Sequence, residues 1–501
     1  MITKVNSATF KGIEGEIVNI EIHISKGLPI FNIVGLGDIS IKESKERVRS
    51  ALINSSYEFP LGRITVNLAP ANIKKEGSVF DLGIAIGILI QSNQLCNVDL
   101  SETLVLGELS LDGSINKIKG ILPIIYKGKE SGFKNFIIPV KNQKEASLIK
   151  DINLYPLKTL NEAIHFLKYR DLLPYEKNCV EEKKNEKNVD FKDIIGQEQA
   201  KRALEIAAAG GHNVILYGPA GSGKSMLAKA FTTIIPDLLY DDALEVAKIN
   251  SVLGEINDEG INFRPPFRTP HYSVTKCALI GGGHKVLPGE ISLAHKGVLF
   301  LDELLEFDKC ILENLRIPLE DKKIILSRAV GSYEYPCDFT LIAAMNPCPC
   351  GNYMSNIPCT CTEFERKKYI KKLSSPLLDR IDIFTSVPRL SYEEFKSKKG
   401  ESSSEIKYRV ENARKIQSER FKNKEIKLNY QMNNLLINEF CTLNEEGERV
   451  MKTMFKTYNL SLRAYHRILK VARTIADLEE SINIEKIHLI EAFTYRQFVE
   501  N

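Results

Sequence analysis

The residues best placed by type and spacing to do chemistry are Gly218, Pro219, Ala220, Gly221, Ser222, Gly223, Lys224 and Ser225. They complete the pattern G-x-x-x-x-G-K-[ST], directly after the apolar run Val214 to Tyr217 and before the helical stretch Met226 to Phe231. In that setting glycines let backbone N–H groups turn inward around phosphate oxygens, and the helix N-terminus adds its partial positive charge. Lys224 would reach the β- and γ-phosphates of ATP, and Ser225 would hold Mg²⁺.

Two further clusters carry chemistry. Gly297 to Glu303 is an apolar strand ending in two carboxylates, and strand C-termini are where an open α/β sheet presents ligand groups. Asp302 would support Mg²⁺ largely through its water shell, and Glu303 would orient and polarise the attacking water. A buried strand followed by an acidic helix cap is the alternative. Eight residues separate the pair Cys348 and Cys350 from the pair Cys359 and Cys361. Two thiolate pairs across a short loop supply the soft ligands of tetrahedral Zn²⁺, a structural site because four protein ligands leave no open position. One residue inside each pair is tighter than the common spacing, and four reduced thiols without metal are the alternative. Cys96, Cys179, Cys277, Cys310, Cys337 and Cys441 are scattered.

These groups need scaffolds, and 501 residues are too many for one core. A net charge of +4 permits a nucleic-acid partner without requiring one. No basic-then-apolar leader opens the chain, and Leu82 to Ile90 is far too short to span a bilayer, so a cytoplasmic location is expected. Residues 1–172 alternate strand-like runs (Val18–Ile24, Arg63–Leu68, Thr103–Leu109, Phe136–Pro139) with helices at Ser40–Ser55, Asp81–Ile90 and Ile121–Glu130. The mixed-charge run in 173–190 reads as a linker. An α/β P-loop domain is expected over 191–390 and a helical lid over 391–501, with helices at Glu405–Lys424 and Ser461–Glu479.

Residues 1–172 resemble the peptidase-type domain of Lon proteases, a ribosomal-S5-like α/β fold, through Gly107 to Gly113, Ser131 to Pro139 and the loop Lys75-Glu-Gly-Ser78. The serine position of that loop falls on Val79 and the partner lysine on about Leu122, so the peptidase chemistry does not carry over. A one-residue slip would bring Ser78 to the nucleophile position. The stretch from Phe191 to Gln197 resembles the adenine-covering segment of AAA+ ATPases, and Gly297 to Glu303 resembles their Walker B element. By the same resemblance Asn346, at the end of the run from Thr340, is sensor 1, with a simple turn cap as the alternative. Arg380, in Ser374 to Asp382, is an arginine finger reaching a neighbouring subunit's nucleotide, or else an ion-pair partner of Asp379 or Asp382. Arg463 takes the sensor 2 place, while Arg467 and Arg473 read as solvated or paired.

Phe263 to Ser273, Ile280 to His284, Pro288 to His295 and Asn346 to Gly351 together resemble the magnesium-chelatase-like AAA+ proteins of the ComM/YifB group, over nearly the whole chain. That resemblance implies a homohexameric, ATP-driven motor on branched or single-stranded DNA, working in branch migration during natural transformation. A chelatase-type or protein-remodelling ATPase is the second reading, and an ATP-dependent protease the third. Arg264, Arg268, Lys276 and Lys285 in the insert are candidate DNA contacts, as are Lys322, Lys323 and Arg328 on an expected hairpin over Asp321–Pro336. A solvated hairpin is equally consistent with those three. No base-reading motif is visible, so DNA-sequence specificity is not expected.

Overall fold

The computed structural model describes residues 2–35, 37, 39–71, 75, 77–176, 189–255, 261–283, 285–328, 331–355, 357–390 and 400–496. Most of the expected linker, together with Cys179 and His284, lies outside them. The contacts divide the chain into two units. The first is Met1–Lys183 with Tyr240–Asn262 and Ile325–Tyr335; the second is Lys184–Leu239, Phe263–Ile324 and Pro336–Asn501.

The first unit is built on a mixed seven-stranded sheet. Strand Thr3–Lys11 pairs antiparallel with Glu14–Ser25, which pairs antiparallel with Arg63–Ala69. On its other side Thr3–Lys11 runs parallel to Thr103–Val105, followed by Asn135–Pro139 and Asn153–Leu157. Helix Asp81–Gln91 is apolar and buried as far as Leu89. Each of its Ile and Leu side chains contributes roughly 1.5–3 kcal/mol of transfer free energy to the core. The stretch Thr103–Leu109, expected as one strand, is broken into Thr103–Val105 and Glu108–Leu109. Between them Gly107 donates its N–H to the Val79 carbonyl and accepts from Leu82 N–H, both at 3.0 Å, so the backbone there serves the start of the buried helix instead of a ladder.

Val79 and Leu122 are buried apolar side chains. Ser78 donates its hydroxyl to the Glu108 carboxylate, and the buried Lys75 ammonium donates to the Pro70 carbonyl. Helix Tyr240–Leu253 belongs to this unit although its sequence lies within the expected P-loop domain. Ser251 explains why: its carbonyl accepts from Gly120 N–H at 2.9 Å, its hydroxyl donates to Glu145 at 2.6 Å, and Leu244 and Ala247 join the first core.

The second unit holds a five-stranded sheet in the order Phe267–Arg268, Val298–Leu301, Thr340–Met345, Val214–Tyr217, Ile383–Ser386, all parallel. The four strands other than the edge strand Phe267–Arg268 are short, mostly apolar runs that are largely buried, as helix-covered parallel sheets require. Helix Glu198–Gly210 shares one hydrophobic core with the C-terminal helices Ser403–Arg420, Glu445–Tyr458, Leu462–Leu478 and Lys486–Thr494. Ser402 with Glu405, and Ser461 alone, cap two of them through their side chains. The fold class is thus α/β with a C-terminal helical region. No described helix is long and apolar enough to cross a membrane.

Candidate nucleotide site

Val214–Tyr217 lies between Thr340–Met345 and Ile383–Ser386, and the crevice at the carboxyl ends of such strands is where open α/β sheets bind ligands. A cavity of about 420 Å³ opens there, lined by Ala220 to Met226, Asp302, Glu303 and Ala344 to Asn346. The loop's glycines have separate physical reasons. Gly221 and Gly223 have φ of 73° and 95°, where a side chain strains the backbone, and a Cβ on Gly218 would stand 2.1 Å from the Val387 carbonyl oxygen.

Lys224 begins helix Lys224–Phe231 and is buried. Its ammonium donates to the Gly218 and Pro219 carbonyls, both at 2.8 Å, and to Asn346 Oδ1 at 3.2 Å. Burial pulls its pKa down to about 8, partly offset by the charge of Asp302. Ser225 Oγ donates to Asp302 Oδ2 at 2.6 Å. Glu303 follows with φ 51°, a left-handed conformation that costs a non-glycine residue free energy and is typically held only where the surroundings enforce it. Ser222 Oγ is buried with no hydrogen-bond partner among the described residues, an orphaned donor facing a cavity of phosphate-binding composition. A polar loop with a hydroxyl beside a carboxylate fits a Mg²⁺-bound triphosphate. Lys224, Ser225, Asp302, Glu303 and Asn346 are therefore brought together at one cavity.

The two arginines stand apart from those lining residues. Arg380 donates to the Pro376 carbonyl at 2.6 Å and pairs with Glu320, while its Nε has no hydrogen-bond partner among the described residues. Arg463, largely exposed, lies 3.3 Å from Asp379. Arg467 and Arg473 are paired, with Asp382 and Asp477 respectively. Asp382 is fully buried, yet the Arg467 charge, helped by His212, outweighs burial and holds its carboxyl well below the ordinary range.

The sulfurs of Cys348, Cys350, Cys359 and Cys361 lie within 4.8 Å of one another. Three of the separations are 3.4, 3.5 and 3.7 Å. Tetrahedral zinc with bonds of about 2.3 Å would set them about 3.8 Å apart, so the donor set fits such an ion. Backbone N–H donation from Asn352 is the main cause that pulls the Cys350 thiol down to about 5. Gly351, inside this loop, accepts from Ala220 N–H of the phosphate loop at 3.1 Å.

Three family descriptions match the chain: "Magnesium chelatase, subunit ChlI" over residues 190–395, "Subunit ChlI of Mg-chelatase" over 20–142, and "Magnesium chelatase, subunit ChlI C-terminal" over 400–496. Competence protein ComM of Haemophilus influenzae is 42% identical over 99% of this chain and 97% of its own length. YifB of Escherichia coli K12 is 42% identical over 98% of this chain and 96% of its own length. The chain belongs to the ComM/YifB group of magnesium-chelatase-like AAA+ proteins. The magnesium-chelatase 67 kDa subunit of Chlorobaculum parvum is 31% identical over 32% of this chain and 23% of its own length.

Within this AAA+ ATPase the candidate DNA contacts divide. Arg264, Lys276, Lys285, Lys323 and Arg328 are exposed, and the expected hairpin is present as Lys323–Arg328 and Gly331–Pro336. Arg268 and Lys322 do not present open charges. The Arg268 guanidinium is held bidentate by Glu290 at 2.6 and 2.7 Å. The Lys322 ammonium lies 3.6 Å from Asp338 and 4.6 Å from the Tyr430 ring centroid, and burial pulls its pKa down. Each carboxylate partner is distant in sequence, and no local pattern announced either pair. Sequence reasoning also missed the Ala220–Gly351 bond, for which spacing gives no signal.

Proposed function

We propose that this AAA+ ATPase is a ring motor that hydrolyses ATP to move DNA strands, acting at branched junctions as a branch-migration helicase. The observation carrying the ATPase chemistry is the convergence of Lys224, Ser225, Asp302 and Asn346 on one cavity. Lys224 and the loop N–H groups would bind and orient the phosphates. Asn346, already within hydrogen-bond reach of Lys224, would hold the terminal phosphate, and Glu303 would take and direct the proton of the attacking water. Mg²⁺, held near Ser225 and Asp302, would supply charge neutralisation on the β- and γ-oxygens. Arg380 would act on the nucleotide of a neighbouring copy, which makes the ring part of the catalytic unit.

The DNA assignment is supported by near full-length similarity to a protein named for competence. A chelatase-type reading is favoured only by the name of the matching family descriptions and by a relative covering 32% of the chain. The four cysteines would hold one structural Zn²⁺. ATP hydrolysis with and without a four-way DNA junction tests the proposal, with Glu303→Gln as control. Stimulation by the junction, lost in the variant, is expected. An ATPase indifferent to every DNA structure would overturn the motor and bring the chelatase-type or protein-remodelling reading forward.

A further inference from the structure

Helix Glu363–Ile370 begins at a complete capping box between Thr362 and Glu365, immediately after Cys361. Its inner face is tied to the turn that follows Glu303. The Tyr369 hydroxyl donates to Glu306 at 2.8 Å, and Lys372, just past the helix, donates to the Leu305 carbonyl at 2.8 Å. Phe364, Lys368 and Lys371 follow at i, i+4 and i+7, on the opposite side of the helix from Tyr369.

That outer stripe is unusual for a solvated face. Phe364, at its amino-terminal end, is 75% exposed. Lys368 and Lys371 are exposed and make no ion pair among the described residues. On the other side of the helix the Arg366 guanidinium lies 4.1 Å above the Tyr353 ring centroid, which ties the cysteine loop to the helix. An exposed flat apolar ring beside open cations is what a flexible polyanion bearing aromatic bases recognises: the cations take the phosphates, and the ring takes a base without regard to sequence.

We propose that the outer face of helix Glu363–Ile370 and the residue that follows it form a binding surface for single-stranded nucleic acid, with Lys368 and Lys371 on phosphates and Phe364 stacked on a base. This inference rests on the DNA reading above and names where the strand is held. The same helix is bonded to Leu305 and Glu306, two and three residues past Glu303, and the loop is bonded to Ala220. A strand bound there sits on elements that the nucleotide site positions directly.

The test uses the full-length protein and a fluorescein-labelled oligothymidylate, with anisotropy read across a salt series. Phe364→Ala should weaken binding about tenfold with the salt slope unchanged, and Phe364→Tyr should restore it. Lys368→Gln with Lys371→Gln should flatten the log–log salt slope by about 1.4, from two lost phosphate contacts. DNA-independent ATP hydrolysis should stay at the wild-type rate in all three. Wild-type affinity and slope in every variant would overturn the surface while leaving the motor reading standing. A wild-type protein that binds no strand would remove both. Variants that fall apart as rings, seen by light scattering, while each remaining ring binds DNA normally would make this face an interface between copies and overturn the proposal.

Discussion

Ser225 Oγ donates to Asp302 Oδ2 at 2.6 Å, joining two residues separated by 77 positions. The bond sets the end of strand Val298–Leu301 beside the first turn of helix Lys224–Phe231, and Glu303 inherits its place from that register. Glu303→Gln keeps the shape and the left-handed backbone but removes the carboxylate proposed as the base. It should bind ATP as the parent does and hydrolyse it at least about 10²-fold more slowly. Asp302→Asn should lower hydrolysis comparably and raise the Mg²⁺ concentration needed. Steady-state hydrolysis and nucleotide titration separate the two. A Glu303→Gln protein hydrolysing within about twofold of the parent would remove Glu303 from the chemistry.

Lys224 makes ATP binding sensitive to alkaline pH. Its pKa, pulled down to about 8 by burial, is that of the nucleotide-free site, and a triphosphate beside it favours the charged form. Below about pH 8 the ammonium is already protonated and affinity should be flat. Above it, binding must take up a proton, and affinity should fall by up to tenfold per pH unit until the pKa of the bound state is reached. Calorimetry in two buffers of different ionisation enthalpy at about pH 9 should show proton uptake on binding. Affinity independent of pH between about pH 7 and pH 9 would exclude the shift.

How much of this was legible before the structure depends on the range of the signal. Strand Val214–Tyr217 and helix Ile121–Glu130 stand where the apolar runs and their periodicity set them, because both signals are local. The P-loop could be read because its spacing encodes backbone geometry directly. Thr103–Leu109 misled, since its apolar pattern continues while Gly107 spends its backbone groups on Val79 and Leu82. The partners of Arg268 and Lys322 were hidden for a different reason. A cation in an insert or on a hairpin looks unpaired until the fold supplies Glu290 or Asp338. The anchoring of Tyr369 by Glu306 spans 63 positions and has no sequence signature.

Arg380 offers a test of the ring itself. In one chain its guanidinium is engaged by Glu320 and the Pro376 carbonyl, so acting on a neighbour's phosphate would require exchanging the Glu320 pair. Arg380→Ala should keep ATP affinity and lose hydrolysis by about 10³-fold or more. Mixing Arg380→Ala with Glu303→Gln should recover part of the activity, because some mixed interfaces then pair an intact Glu303 with an intact Arg380. Two inactive proteins that stay inactive when mixed, while size measurements show joint rings, would assign Arg380 to structure within its own chain.

Cys348, Cys350, Cys359 and Cys361 connect metal content to catalysis through Gly351. The sulfur separations of 3.4 to 3.7 Å predict about one zinc per chain in protein purified without chelator, measured by elemental analysis. Cys348→Ser should lower that content sharply, because Cys348 is the buried member of the set and a hydroxyl is a poor substitute for a thiolate on zinc. Loss of the ion releases the loop holding Gly351, and with it the bond from Ala220 N–H that steadies the phosphate loop. The expected kinetic signature is therefore a rise in KM for ATP larger than the fall in kcat, reproduced in the parent by a strong chelator and reversed by added Zn²⁺. Native protein free of metal, with all four thiols open to a disulfide reagent and ATP kinetics unchanged, would show that the cluster holds its shape without an ion.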